Sequence, residues 1–224
     1  MAYRKNAEFS RRGFFEGATL LAGGCGLLSL ASRLNAEQPF DSLPPRLWKN
    51  QRQNGLIMIR RPAPARFESK LKIVTSSEPG EPLVVVGQVF APDGVTPVEG
   101  ITVYAYHTDA QGYYGENHAE YPPRLYGWMK SDAAGKFELS TIRPGSYPNM
   151  HIPEHIHFSL WGAGYPLQWV EELRFKGDPY LTSSMVDEDS RLGEFRTIRG
   201  LTRVENGPLR CSLSVRLQLE TNFH

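Results

Sequence analysis

Residues 155–157, His-Ile-His, place two imidazoles one residue apart inside an apolar run, with Tyr147 eight positions upstream in a turn. Half of the six histidines fall between 151 and 157. Side chains alternate faces along a strand, so His155 and His157 would point one way and Ile156 and Phe158 the other. Two imidazoles on one strand face can share a metal ion. Zinc and copper sites both use such pairs, and a half-exposed surface pair has the same spelling, so the pattern alone leaves the metal open. Tyr147 lies in Arg-Pro-Gly-Ser-Tyr-Pro, where Pro144, Gly145 and Pro148 constrain a turn able to aim a phenol back at the strand. A second turn, residues 106–116, supplies Tyr113 and Tyr114.

The elements that must position these groups read as short strands. Residues 82–90 are a β-branched run, and 101–108 alternate Ile101, Val103 and Ala105 against Thr102, Tyr104 and Tyr106. Residues 131–142 read as a turn and a strand, and 154–162, 171–177 and 209–219 complete the set. Gly, Pro and Asp clusters separate them, the pattern of a sandwich or barrel. The expected fold is all-β: a β-sandwich of short, mostly antiparallel strands with long connecting loops. Residues 178–200 read as a mobile connection with a short helical turn. Prolines at 39, 44, 45, 62 and 64 make 37–70 an irregular N-terminal arm, and 71–224 the sandwich domain.

The chain has 224 residues and a net charge of +1, which gives no electrostatic case for nucleic acid. Its first 36 residues read as a signal. Arg11 and Arg12 precede Phe14 and Phe15, and residues 18–31 carry no charge. That run has the length of a signal-peptide core rather than of a membrane span. Ser-Arg-Arg-x-Phe resembles a twin-arginine export signal. The expected location is therefore periplasmic or secreted, with the twin-arginine export machinery as a partner. Ala22 stands where a lipoprotein signal usually has Leu, which argues against anchoring at Cys25. Loss of the signal would leave Cys211 alone, with no intrachain disulfide.

The combination of motifs resembles a known family. Residues 84–114, then SDAAGKFELSTIRPGSYP (131–148), PEHIHF (153–158) and LRFKGDP (173–179), are similar in order and spacing to the intradiol ring-cleavage dioxygenases. The resemblance spans about residues 84–179. It implies a β-sandwich holding one non-haem Fe(III) by two tyrosinates and two histidines. Asp109, Gly112 and Tyr114 fill the family's Asp-x-x-Gly-x-Tyr turn, Tyr147 fills Pro-Gly-x-Tyr-Pro, and His155 and His157 are the histidines. Tyr113 is the neighbouring alternative to Tyr114. The ligand set agrees with ferric iron: a trivalent cation ionises a phenol that otherwise has a pKa near 10, whereas zinc sites use Cys, His and carboxylate. The implied substrates are a catechol-type aromatic and O2, with Tyr147 leaving the metal to take up a substrate proton. The family's cytoplasmic members form dimers or larger assemblies, so a homodimer is compatible with the resemblance.

Two positions depart from the family. Its arginine before Pro-x-His-Ile-His is Ile152 here, and its Gln and Tyr before Gly-Asp-Pro are Glu172 and Arg174. Arg174 is expected to supply the missing positive charge and Glu172 to orient or balance it, which makes Tyr147, Glu172 and Arg174 the candidate catalytic residues. A solvated Arg174–Glu172 ion pair is the plainer alternative. The same strands also resemble transthyretin-like and carboxypeptidase-regulatory sandwiches, non-catalytic binding modules that need no Tyr2His2 set.

Overall fold

Valine-rich Pro82–Phe90 forms strand β2, whose neighbours build the first of two sheets. The computed structural model describes residues 63–118 and 122–220, so the expected signal and the arm up to residue 62 lie outside the described residues. The first sheet runs β1 (Lys70–Lys72), β5 (Lys136–Ile142), β2, β10 (Leu209–Arg216), β9 (Thr202–Arg203). The second runs β4 (Leu125–Lys130), β3 (Thr102–His107), β6 (His155–Gly162), β7 (Tyr165–Phe175), β8 (Ile198–Arg199). Most pairings are antiparallel. β1 with β5, β10 with β2 and β7 with β8 are parallel.

The core lies between the sheets. Leu83, Val85, Phe137, Leu139 and Leu213 of the first sheet meet Val103, Ala105, Ile156, Phe158 and Leu173 of the second. The second sheet is buried on its other face too. There Tyr104, Tyr106 and Trp128 pack with Tyr114 and Leu167 in a separate aromatic cluster. All six residues of β3 are therefore buried, although the alternation of its two sets is as the sequence predicts.

Several strands depart from the sequence reading, which lacks the short β1, β8 and β9 as well as β4. β4 is absent from it because Gly127 interrupts the pattern; a Cβ at 127 would come within 2.4 Å of Leu71 Cδ2, so the glycine makes the seat on which β1 rests. β7 begins at Tyr165 rather than near 171, in a stretch where Pro166 argues against a paired strand. β8 reaches β7 only at Arg174 and Phe175, so among the described strands Pro166 faces no partner on that side. The connection after β7 contains the helix α1 (Ser183–Ser190), capped by the Thr182 side chain at Met185 N. It is tied down rather than loose: buried Asp189 accepts from the backbone N–H of Thr197 (2.6 Å) and Ile198 (3.1 Å). The end of the arm packs on the domain, with Glu68 O accepting from Lys130 N (2.9 Å) and Ser69 O from Glu138 N (2.7 Å).

Candidate metal centre

Strand alternation sends Ile156, Phe158 and Leu160 into the core and leaves His155 and His157 on the outer face of the second sheet. Two turns deliver phenols to that face. In the first, the Asp109 side chain accepts from the backbone of Gln111 and Tyr113 (both 3.0 Å), which bends the chain so that Tyr114 reaches the strand. The second carries Tyr147. The turns are fastened to each other: Gly145 N donates to Asp109 O (2.8 Å) and the Thr108 hydroxyl to Gly145 O (2.7 Å). Gly112, at φ +89°, lies so close to the second turn that a Cβ would sit 1.9 Å from Ser146 O.

The result brings four donor atoms together. Tyr114 OH lies 2.8 Å from His157 Nε2, Tyr147 OH 3.0 Å from His155 Nε2 and 3.4 Å from His157 Nε2, and the two Nε2 atoms 3.1 Å apart. The two phenol oxygens are also in hydrogen-bond contact. The hydroxyl that meets His157 belongs to Tyr114 rather than to its neighbour Tyr113. Tyr114, His155 and His157 are 6–7% exposed, while Tyr147 is half-buried.

Both imidazoles are disposed to stay neutral by their surroundings. Burial pushes both pKa values down, that of His157 well below its usual range, and Arg174 lowers both further by repulsion. His155 donates Nδ1–H to Pro153 O (2.7 Å), which leaves its Nε2 lone pair for the cluster. Ligands held about 2.0–2.1 Å from one ion sit about 3 Å from each other by simple geometry, so this donor set fits a single metal ion. Among the described residues no group of three or more His, Cys, Asp or Glu converges. The two phenols are the further donors beside the imidazoles at this point, and an anionic oxygen donor suits a hard trivalent cation.

Supporting residues surround the centre. Tyr106 stacks on His157 at a ring distance of 4.5 Å, and Trp169 lies 5.2 Å away. Asp178 of Gly-Asp-Pro accepts from Glu154 N (2.9 Å), which ties the exit of β7 to the residue before His155. Arg124 pairs with Glu78 (2.7 Å) and reaches Asp109 (3.4 Å) behind the first turn. Sequence reasoning gave no role to Asp178, Thr108 or Arg124; the Asp-x-x-Gly spacing is the signal that points to Asp109. Arg174 is the cross-strand partner of His155, and its Nη2 donates to Glu172 (2.5 Å) and Glu171 (3.0 Å). His151 is exposed and packs edge-on against Tyr180, at a ring distance of 5.2 Å.

Comparison with known proteins agrees with this geometry. A family model described as dioxygenase matches residues 61–218. Over 120 residues the chain is 36% identical to a protocatechuate 3,4-dioxygenase beta chain from Burkholderia cepacia, covering 48% of this chain and 51% of that protein. It is 28% identical to a catechol 1,2-dioxygenase from Acinetobacter lwoffii, covering 73% and 58%. The chain thus spans about half the length of the curated relatives it matches. Among solved structures, it shares its fold with the dioxygenase domain of a carbohydrate-binding fusion from Streptomyces sp. SirexAA-E (TM-score 0.52, 23% identity, 72% of this chain and 96% of that one). It shares it also with a mercury-inhibited catechol 1,2-dioxygenase from Acinetobacter sp. ADP1 (TM-score 0.55, 19% identity, 70% and 59%). The match to the family model and the two tyrosine turns beside the His-x-His strand give one answer: the chain belongs to the dioxygenase family, the intradiol family that its motifs resemble.

Proposed function

We propose that this protein is a non-haem Fe(III) intradiol dioxygenase, with Tyr114, Tyr147, His155 and His157 as the ligands. It opens a catechol-type ring between the two hydroxyl-bearing carbons, and both atoms of O2 enter a muconate-type diacid. The catechol supplies the electrons, so no external reductant is needed. The observation that carries this reading is the convergence of two phenol oxygens and two neutral imidazole nitrogens on one point. Bound there, Fe(III) supplies Lewis-acid activation of the ring and a template for the reactants.

The chain's own residues divide the remaining work. His155 and His157 are fixed by strand pairing, and Tyr114 by the turn clamped at Asp109. Tyr147 stands on a loop and is the most exposed of the four. In this reading it is the donor that leaves the metal and takes a proton from a catechol hydroxyl, becoming a neutral phenol. The aromatic wall of Tyr106 and Trp169 keeps water from the inner side of His157.

The test is a visible absorption spectrum of the protein purified with iron, before and after catechol. The expected result is a broad phenolate-to-Fe(III) band that moves to longer wavelength with catechol, and a diacid product carrying both labels from 18O2. A colourless protein holding zinc or no metal defeats this reading and leaves the binding-module sandwich in its place.

A further inference from the structure

The two histidines are supported unequally. His155 donates its outer N–H to Pro153 O (2.7 Å). Nδ1 of His157 is buried and makes no hydrogen bond. A metal-binding histidine nearly always donates from its second nitrogen, because that bond fixes the tautomer and the ring orientation. An unpartnered buried donor is also costly.

One acceptor faces that nitrogen. Glu172 Oε1 lies 3.9 Å from His157 Nδ1. Its placement follows from an irregularity in β7. The pairing runs Ile156 with Leu173 and then Phe158 with Val170, so Glu171 and Glu172 together stand opposite His157. Such a bulge re-aims side chains, and bulges are common beside active sites. The other oxygen of Glu172 accepts from Arg174 Nη2 (2.5 Å), and Glu171 accepts from the same nitrogen (3.0 Å). A line of charge therefore runs from Arg174 through Glu172 to His157 and on to the four donors.

Building on the proposed metal centre, we propose that Glu172 is its positioning residue. Its carboxylate turns to take the Nδ1–H of His157, fixes the ligating tautomer, and passes negative charge to the ring. Arg174 sets how much of that charge the ring receives. The two residues act on the metal with opposite sign. Without the Glu172 charge the ion becomes more electron-poor, and the phenolate-to-metal band falls in energy. Without the Arg174 charge the carboxylate donates more, and the band rises.

The test compares wild type, Glu172→Gln and Arg174→Met for the position of the Fe(III) band and for Fe(III) and Zn(II) affinity by chelator competition, with circular dichroism as the check of folding. Glu172→Gln is expected to move the band to longer wavelength and to weaken both metals roughly tenfold. Arg174→Met is expected to move it to shorter wavelength without loss of affinity. Unmoved bands and affinities, or shifts in the same direction, overturn the proposal and leave an ordinary ion pair. If Glu172→Gln does not fold, Arg174→Met alone decides: a shift to longer wavelength, or none, overturns it. A colourless wild type that binds Zn(II) defeats the ferric reading, and the Zn(II) affinities of the variants then decide the role of Glu172. A wild type that binds neither metal defeats both.

Discussion

Tyr147 and Tyr114 carry the same chemistry and differ in how they are held. Tyr114 is 6% exposed and sits 2.8 Å from His157 Nε2, behind the Asp109 turn. Tyr147 is half-buried and lies within 3.4 Å of both imidazoles. The proposed mechanism asks one phenol to alternate between ligand and base, and the second kind of position suits that. Tyr147→Phe is therefore expected to keep iron and a weaker colour through Tyr114, while turnover of catechol falls by about 10²-fold or more, the usual scale for loss of a general base. Steady-state kinetics beside the visible spectrum separate the two effects. Turnover at the wild-type rate in Tyr147→Phe would remove the base role from this residue.

At the scale of elements, two turns 33 residues apart work as one clamp, since Tyr114 and Tyr147 are that far apart in the chain and in contact in space. Gly112 is the point of closest approach. Gly112→Ala places a methyl 1.9 Å from Ser146 O at φ +89°, so the turns must separate. The expected cost is about 2 kcal/mol or more of stability, together with weakened metal binding, read by thermal melts with and without iron. Much of this centre was legible beforehand, because its signals are local. His-x-His alternation fixes the direction of both imidazoles within three residues, and the two turn motifs, through their resemblance to the family, point to Tyr114 and Tyr147. What stayed hidden depends on contacts distant in sequence. β4 is spelled with a glycine only because Leu71 packs on it, and Asp178 matters only because β7 ends beside the start of β6. The bulge at Glu171 and Glu172 has no spelling of its own, although it decides what faces His157.

At the scale of the whole molecule, the sheets are pinned together by a buried polar contact as well as by the apolar core. His107 on β3 donates Nδ1–H to Thr108 O (2.6 Å), and its Nε2 accepts from the hydroxyl of Thr141 on β5 (2.6 Å). Burial lowers the His107 pKa from 6.5 to about 4. As pH falls the unfolded chain binds the proton first, so stability is intact above about pH 6.5 and is lost progressively down to about pH 4. The share of His107 is about 3 kcal/mol, and His155 and His157, also pushed down by burial, act in the same direction. Denaturant melts at pH 7, 5 and 4 are expected to show this loss, and His107→Gln to flatten it; an unchanged slope in the variant would clear His107 of it. The closing strand of the first sheet carries a different kind of information. β10 lies against β2 along its whole length, and Cys211 on it is 7% exposed with its thiol pushed up to about 12 by burial. That sulfur is inert to alkylating reagents while the strand is seated and ordinary once the strand lifts. The protein thus carries a native clock on its own seam, and the speed of labelling at Cys211 reports how often the sandwich breathes open rather than how reactive the thiol is.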